Sequence, residues 1–456
     1  MFKKVTVANR GTVASRVVNS LREMDIRSHV LCSEVDQENP YVREADEFTV
    51  IGPAPPKDSY LNQDAIIEAA KKAKSEAIHP GYGFLAESPE FAKRVTDEGL
   101  IFIGPSSNWL AIMGDKVAAR NEMFNHGFPM SPFSKILTGS YQEQAAEARR
   151  IGFPLIIKPA HGGGGIGMIT VTSEDKLVGA LEAAASQAER GFGRREVYAE
   201  RMIEKPRHVE FQVVSDGEEA VTLFERDCSI QRRRQKILEE AGAPLLPRAQ
   251  LEEMGKKAAQ ILAKIGYDHL GTVETLYSTT GKDFGFLEVN PRLQVEHAIT
   301  EEITGVDLVK TQLRLAGGQR VADIFALSPV LFCGHSIEAR VYAEDSKNFY
   351  PSPGPLKVFK PPRVSGVRVE TGYAEGGVVT PYYDPMLAQV IVHANTRDMA
   401  LGLMEEALKA FEVEGIKTNI GFLRALLRYE PFKEGLVHTA LAEELIKSPG
   451  YKPVEN

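Results

Sequence analysis

The chain runs to 456 residues, 43 % hydrophobic and 25 % charged, which excludes a disordered or fibrous polymer and sets an expectation of about three domains. Lys and Arg number 54 against 62 Asp and Glu, and the resulting net charge of −8 disfavours nonspecific nucleic-acid binding. No apolar run approaches the roughly 18 residues a membrane helix needs, so nothing is expected to span a bilayer.

The apolar run after Met1 is too short for an export signal, and residues 5–8 read as a first strand. The turn Asn9-Arg10-Gly11 follows, and Val13, Val17, Val18, Leu21 and Met24 then recur at helical spacing. Residues 28–31 and 48–51 predict two more strands, and 65–73 a helix. Ala77-Ile78 leads into the loop His79-Pro80-Gly81-Tyr82-Gly83, and the strand 100–103 ends at Gly104-Pro105. Strands separated by helices predict an open parallel sheet. With no GxGxxG after the first strand, a dinucleotide site there is not supported.

A smaller unit is expected from about 135 to 202, centred on Pro154-Leu155-Ile156-Ile157-Lys158 and a glycine run. Beyond it the pattern predicts a helix over 251–265, a hairpin over 271–290 and a helix over 306–315. From about Gly334 the texture turns to Pro- and Gly-rich β segments. A last amphipathic helix is read with Met399, Leu403, Met404, Ala407, Leu408 and Phe411 on one side. No internal repeat and no low-complexity tract occurs, nor any Ala-Met-Lys-Met segment that could carry a covalently attached cofactor. Cys32, Cys228 and Cys333 are far apart and form no CxxC, which fits a reducing, cytoplasmic setting and argues against a disulfide scaffold or a cysteine zinc site.

Four stretches could carry chemistry. The run Gly162-Gly163-Gly164-Gly165 follows a strand ending in Lys158, and glycines let several backbone N–H groups approach an anion. A lid over ATP phosphates, with Lys158 supplying charge, is favoured over a plain hairpin tip. The 271–290 hairpin sets Glu274 opposite Glu288, give or take one residue, and strand alternation puts Phe284, Phe286, Glu288 and Asn290 on one face. Facing carboxylates repel, so two glutamates and an asparagine call for Mg²⁺ or Mn²⁺ held together with substrate phosphates. If Arg292, Gln294 and Glu296 stay extended they continue along one side, where they suit a small planar oxyanion with Glu296 as general base; Pro291 marks where the ladder should stop. The segment Gln231-Arg232-Arg233-Arg234-Gln235-Lys236 lacks aromatic residues and reads as an oxyanion clamp rather than a nucleic-acid patch. His79, His208 and His297 have no partners at metal-ligand spacing and read singly as structural.

Taken together, Gly114-Asp115-Lys116, the Lys158 glycine lid, Pro206-Arg207-His208-Val209-Glu210, Glu225-Arg226-Asp227-Cys228-Ser229 and Glu288-Val289-Asn290-Pro291-Arg292-Leu293-Gln294-Val295-Glu296-His297 stand in an order that closely resembles the biotin carboxylase component of biotin-dependent carboxylases, in the ATP-grasp superfamily. The likeness runs from Ala8-Asn9-Arg10-Gly11 through Tyr382-Tyr383-Asp384 to Gly415-Ile416-Lys417-Thr418-Asn419. The resemblance implies an α/β architecture: an N-terminal doubly wound parallel-sheet domain (1–115), an ATP-grasp domain (116–333) with a mobile lid at about 135–202, and a C-terminal α+β domain (334–456). It implies that ATP phosphorylates bicarbonate to carboxyphosphate and that the carboxyl group passes to biotin on a separate carrier protein.

Residue by residue, the resemblance implies nucleotide and cofactor contacts at Lys116, Lys158, Gly163, Gly164, Gly165, Glu200, His208, Gln231 and Leu276, and a metal at Glu274, Glu288 and Asn290. Lys236, Arg292, Gln294 and Val295 resemble the bicarbonate pocket, Glu296 the base, Arg340 the group that stabilises the biotin enolate, and Tyr82 part of the biotin pocket. The partners it implies are a biotin carboxyl carrier protein, a separate carboxyltransferase chain, and a second copy of this chain in a homodimer. The family usually has an acid where Thr12 stands, an Arg or Lys where Ile166 stands and a His where Arg234 stands. Ile166 and Arg234 motivate a competing reading, an ATP-grasp ligase with a different acceptor; a silent regulatory homologue is the third.

Overall fold

The computed structural model describes residues 1–161, 167–326 and 329–454, so Gly163, Gly164, Gly165 and Ile166 lie outside the described residues. Five strands open the chain: β1 (Lys4–Val7), β2 (Arg27–Cys32), β3 (Glu47–Val50), β4 (Ala77–His79) and β5 (Ile101–Phe102). They pair in parallel in the order β3-β2-β1-β4-β5, the open parallel sheet expected from the alternation. Both faces of the central strands are covered, which is why Val5, Val7, Val30 and Ile78 are all buried. The helix Gly11–Glu23 buries Val13, Val17, Val18 and Leu21 as its spacing requires, while Met24 is only partly buried at the helix end. Gly11, at φ +63°, turns the chain from strand to helix, and a Cβ on Gly372 would come within 2.4 Å of the Gly11 backbone. Only glycine permits that approach, which brings a loop of the C-terminal segment against the first helix.

A three-stranded antiparallel sheet follows, made of β6 (Leu155–Pro159), β7 (Ile169–Val171) and β8 (Val197–Arg201) in the order β7-β6-β8. The helices Tyr141–Ile151 and Leu177–Phe192 close a small core of their own around Leu155, Ile157, Leu177 and Leu181. This separate core is what lets the unit behave as one body.

The next strands are β9 (Arg207–Ser215), β10 (Ala220–Arg232), β11 (Gln235–Ala241), β12 (Leu270–Ser278), β13 (Asp283–Asn290) and β14 (His335–Tyr342). Then come β15 (Gly354–Pro355), β16 (Val358–Lys360), β17 (Val367–Thr371), β18 (Val378–Val379), β19 (Met386–Ala394) and β20 (Glu412–Glu414). Eight of them form one sheet in the order β13-β12-β9-β10-β11-β14-β19-β17. The sheet therefore runs straight across the change of texture near Gly334.

Two expectations need correction. The helix Arg397–Ala410 buries Ala400, Leu401, Met404, Ala407 and Leu408, but Met399 is 57 % exposed and Leu403 only packs at the edge. Nor is it the last helix, since Ile420–Leu427 and Leu441–Lys447 follow. In the hairpin, the pairing shifts by one residue between Glu274↔Glu288 and Thr275↔Phe286, a β-bulge that leaves Leu287 as the extra residue. Phe284 and Phe286 therefore face the core with Val289, whereas Glu288 and Asn290 turn to the opposite face with Glu274. The helix Val306–Leu315 of the sequence reading is found at Leu308–Ala316 and the 251–265 helix at Arg248–Ile265, each capped at its C-terminal end by a glycine.

Candidate active site

Glu210, Glu274 and Glu288 stand in register on β9, β12 and β13, so three carboxylates lie side by side across neighbouring strands, and Arg226 on β10 continues the row. Like charges at such positions repel unless cations come between them. The cations arrive from the next hairpin. Arg233 and Arg234 adopt φ +51° and +66°, a two-residue connection with both residues in the left-handed region that folds β11 back on β10 and sets Lys236 opposite Gln231. Lys236 Nζ then lies 2.6 Å from Glu210, 2.8 Å from Glu274 and 2.6 Å from Glu296, with Gln294 at 3.3 Å. Arg226 Nε donates to Glu210 at 2.6 Å.

The loop after β13 supplies the rest. It does not stay extended; the ladder ends at Asn290, before Pro291, as a missing N–H dictates. Leu293 is fully buried in the core of the N-terminal sheet, worth about 1.5–3 kcal/mol, and pins the loop. Gln294 and Glu296 thereby turn toward Lys236, while Arg292 turns away to Glu87 and to Asn290 Oδ1 at 3.3 Å. Gln294 and Glu296 thus meet at Lys236 and Arg292 does not, so the three do not run along one side of a strand. Glu296 also accepts from Arg340 Nη2 at 2.9 Å, and Cys228 Sγ lies 3.8 Å from it.

Burial alone would raise the Glu296 carboxyl, but Lys236, Arg340 and Arg226 outweigh it and hold the group well below the usual range. Glu274 is likewise pulled down against burial by Lys236 and His208. Burial keeps Glu210 raised in spite of Lys236 and Arg226. Glu296 is thus ionised at neutral pH, and the same cations limit its strength as a base. An anion bound against Lys236 would take up part of that positive charge and return basicity to Glu296.

His208, which has no partner at metal-ligand spacing along the sequence, finds its neighbours across the sheet: its Nε2 lies 2.9 Å from Glu274 Oε2, and Gln231 Nε2 sits 2.8 Å from its Nδ1. Leu276 stands opposite His208 in the ladder. His79 and His297 are buried, their imidazoles pushed down by burial, and serve the backbone around them. Donor atoms of His208, Glu210 and Glu274 lie within 4.8 Å of one another, as do those of Glu210, Cys228 and Glu296, but Lys236 already bridges both groups.

On the other side of the row, Asp115 caps the helix Lys116–Asn125 through the N–H groups of Val117 and Ala118, which fixes Lys116 at its first turn, 3.3 Å from Glu288. Lys158 on β6 donates to Glu200 on β8 at 2.6 Å, and Arg120 pairs with the same carboxylate. Asn290 donates to Glu274 at 2.8 Å. Two carboxylates and an amide, all oxygen donors, with Glu274 and Glu288 facing in register, fit a hard divalent cation that also takes phosphate oxygens.

Beside this cluster opens a cavity of about 480 Å³, lined among others by Arg10, Tyr82, Arg292, Val295, Arg340 and Asp384. Its volume suits a small organic ligand. Tyr82, Arg292, Val295 and Arg340 were singled out from sequence. Arg120, Glu87, Gln389 and the Glu239–Glu338 pair were not, because each acts through a partner on a distant strand or segment. Among the described residues no helix is long and apolar enough to cross a membrane, and all three cysteines are free.

Three family models match the chain: "Biotin carboxylase, N-terminal domain" over residues 1–110, "Carbamoyl-phosphate synthase L chain, ATP binding domain" over 115–324, and "Biotin carboxylase C-terminal domain" over 338–444. A biotin carboxylase of Halalkalibacterium halodurans is 43 % identical over 448 residues, covering 98 % of each chain. A pyruvate carboxylase subunit of Methanothermobacter thermautotrophicus is 43 % identical, covering 97 % of this chain and 90 % of the relative. The biotin carboxylase domain dimer of Hydrogenobacter thermophilus 2-oxoglutarate carboxylase, solved with MgADP, ADP and bicarbonate, superposes with a TM-score of 0.91 at 39 % identity, over 97 % of this chain and 98 % of that one.

Proposed function

The chain belongs to the biotin carboxylase family of ATP-grasp enzymes, and on that premise we propose how its residues divide the ATP-dependent carboxylation of biotin. The enzyme is the biotin carboxylase part of an acyl-CoA or pyruvate carboxylase and uses ATP, Mg²⁺ and bicarbonate. Its architecture is the ATP-grasp fold with an N-terminal parallel sheet, a lid and a C-terminal α+β domain. We place the boundaries at 1–115, 116–333 and 334–456, with the lid at about 135–202.

Lys116, Lys158, Glu200, His208, Gln231 and Leu276 hold the nucleotide, together with the lid glycines Gly163, Gly164 and Gly165. Glu274, Glu288 and Asn290 hold Mg²⁺ or Mn²⁺, which when bound neutralises phosphate charge. Bicarbonate binds at Lys236, Arg292, Gln294 and the Val295 backbone; its oxygen attacks the terminal phosphorus of ATP, ADP leaves, and Glu296 takes the bicarbonate proton. Carboxyphosphate then yields CO₂ and phosphate, the phosphate takes the proton of a ureido N–H of biotin seated beside Arg340 and Tyr82, and that nitrogen bonds to the carbon of CO₂. Because carboxyphosphate is short-lived in water, closure over the site excludes solvent at the critical moment. Biotin is brought by a carrier protein, a carboxyltransferase takes the carboxyl group onward, and the working unit is a cytoplasmic homodimer.

The observation that carries this reading is Glu296 held between Lys236 and Arg340, the latter lining the 480 Å³ cavity. ADP release that requires bicarbonate and rises with free biotin is the expected result. Release that ignores biotin and rises with another nucleophile would instead favour a different acceptor, the reading that Ile166 and Arg234 motivate. Glu288→Gln should raise the Mg²⁺ concentration for half-maximal turnover by roughly tenfold or more. An unchanged magnesium titration would remove Glu288 from the metal site.

A further inference from the structure

Beneath Arg340 lie two acids that the reaction scheme above does not use. Glu239 on β11 and Glu338 on β14 face each other in antiparallel register, and both are fully buried. Arg340 Nη2 lies 2.7 Å from Glu239 Oε1, yet among the described residues neither Glu239 oxygen accepts a well-directed hydrogen bond. Glu338 Oε1 accepts from Gln389 Nε2 at 2.9 Å, an amide that also donates to the Val295 carbonyl at 2.5 Å, while Glu338 Oε2 has no hydrogen-bond partner among the described residues. Among the described residues Glu338 forms no ion pair, and Arg340 acts on it only at longer range. The linked cluster contains five carboxyl groups, Glu210, Glu239, Glu274, Glu296 and Glu338, against Arg226, Lys236, Arg340 and, when protonated, His208. At least one acid is in excess.

We propose that Glu239 and Glu338 share a single proton, and that the pair, so held at one negative charge, positions Arg340 between Glu239 and Glu296 at the rim of the cavity. A proton between the facing carboxyls gives Glu338 Oε2 and one of the two Glu239 oxygens a partner, and leaves the other Glu239 oxygen to Arg340. With one charge on the pair and one on Glu296, the guanidinium bridges two equal attractions. A second charge on the pair would draw it inward, away from Glu296 and the acceptor. Glu338 is thus a positioning residue, tied through Gln389 to Val295. The proposal rests on the assignment of Arg340 and Glu296 above.

The titratable groups around the pair agree in direction. Burial pushes Glu239 up to about 7 against the pull of Arg340, and burial with Glu239 beside it pushes Glu338 well above the usual carboxylate range. Glu296 adds to the push on both, and Lys236 opposes it on Glu239. Tyr82, Tyr342 and Cys228 also face the pair, and burial first weakens their own acidities, so they stay neutral beside it.

The test uses the full chain with infrared difference spectroscopy and a pH profile. At about pH 8, above the ordinary carboxylate range, the wild type should show the carbonyl stretch of a protonated carboxyl, and Glu338→Gln should lack it. Glu338→Leu, which strips Glu239 and Gln389 of their partner, should lower kcat about tenfold, on the order of one misplaced catalytic contact. Glu338→Gln, which keeps a neutral donor, should recover most of that loss and move the alkaline limb of kcat upward. An absent band, a band that persists in Glu338→Gln, or an unmoved limb overturns the shared proton. Should Arg340→Lys keep wild-type turnover while the band remains, the role given to Arg340 fails and the positioning role with it, although the proton is still shared.

Discussion

Replacing Glu296 by glutamine is expected to lower bicarbonate-dependent ADP release by roughly 10²–10⁴-fold, the usual worth of a positioned base. Nucleotide binding should survive, because Lys116, Lys158 and Glu200 lie on other elements and none of them touches Glu296. The amide keeps the shape of the side chain and the acceptor for Lys236 or Arg340, so the loss reports proton transfer and charge rather than collapse. Turnover close to wild type, with calorimetric nucleotide affinity unchanged, would take the base role away from Glu296.

The second large effect falls on stability. Lys236 is the shared cation of Glu210, Glu274 and Glu296, and Lys236→Met leaves these buried acids without it. Removing one partner of a buried ionic network costs on the order of 3–5 kcal/mol. The sign of the pH dependence follows from linkage. In the wild type the depressed Glu274 and Glu296 contribute stability that is present above the ordinary glutamate range and is lost as pH falls through their folded values. Without the lysine these acids rise instead, the folded variant binds protons that the unfolded chain has released, and its stability falls as pH rises. The deficit relative to wild type should therefore be largest in alkali and shrink toward acid, as read from denaturant midpoints across the pH range. A deficit that is small, or that grows toward acid, would mean that Lys236 does not hold the cluster together.

What was legible in the sequence was what is local. The pairing of Glu274 with Glu288 follows from one short hairpin, and strand period alone puts His208 and Glu210 on one face of β9. The parallel sheet followed from strands alternating with helices, and Pro291 marked the end of the ladder. The bulge at Leu287 was not legible, because an extra residue in a strand leaves no mark in an apolar alternation; it moved Glu288 and Asn290 off the face of Phe284 and Phe286. The clustering of Lys236 with Glu210, Glu274 and Glu296 depends on pairings between strands far apart in the chain, which side-chain period does not specify. Arg292 with Glu87, and Gln389 bridging Glu338 and Val295, likewise join segments whose approach is settled by packing, as the burial of Leu293 in the first domain illustrates. The family likeness supplied many of these residues by position, but it gave no sign of the acids beneath Arg340.

The claim on which the rest depends is that ATP phosphorylates bicarbonate in this site. Bicarbonate labelled with heavy oxygen, supplied with ATP, Mg²⁺ and free biotin, tests it most directly. The mechanism predicts one bicarbonate oxygen in the inorganic phosphate formed with each ADP, and loss of that transfer together with turnover in Glu296→Gln. Phosphate that carries oxygen from water alone would contradict it, because the phosphoryl group would then have passed to solvent and never to bicarbonate.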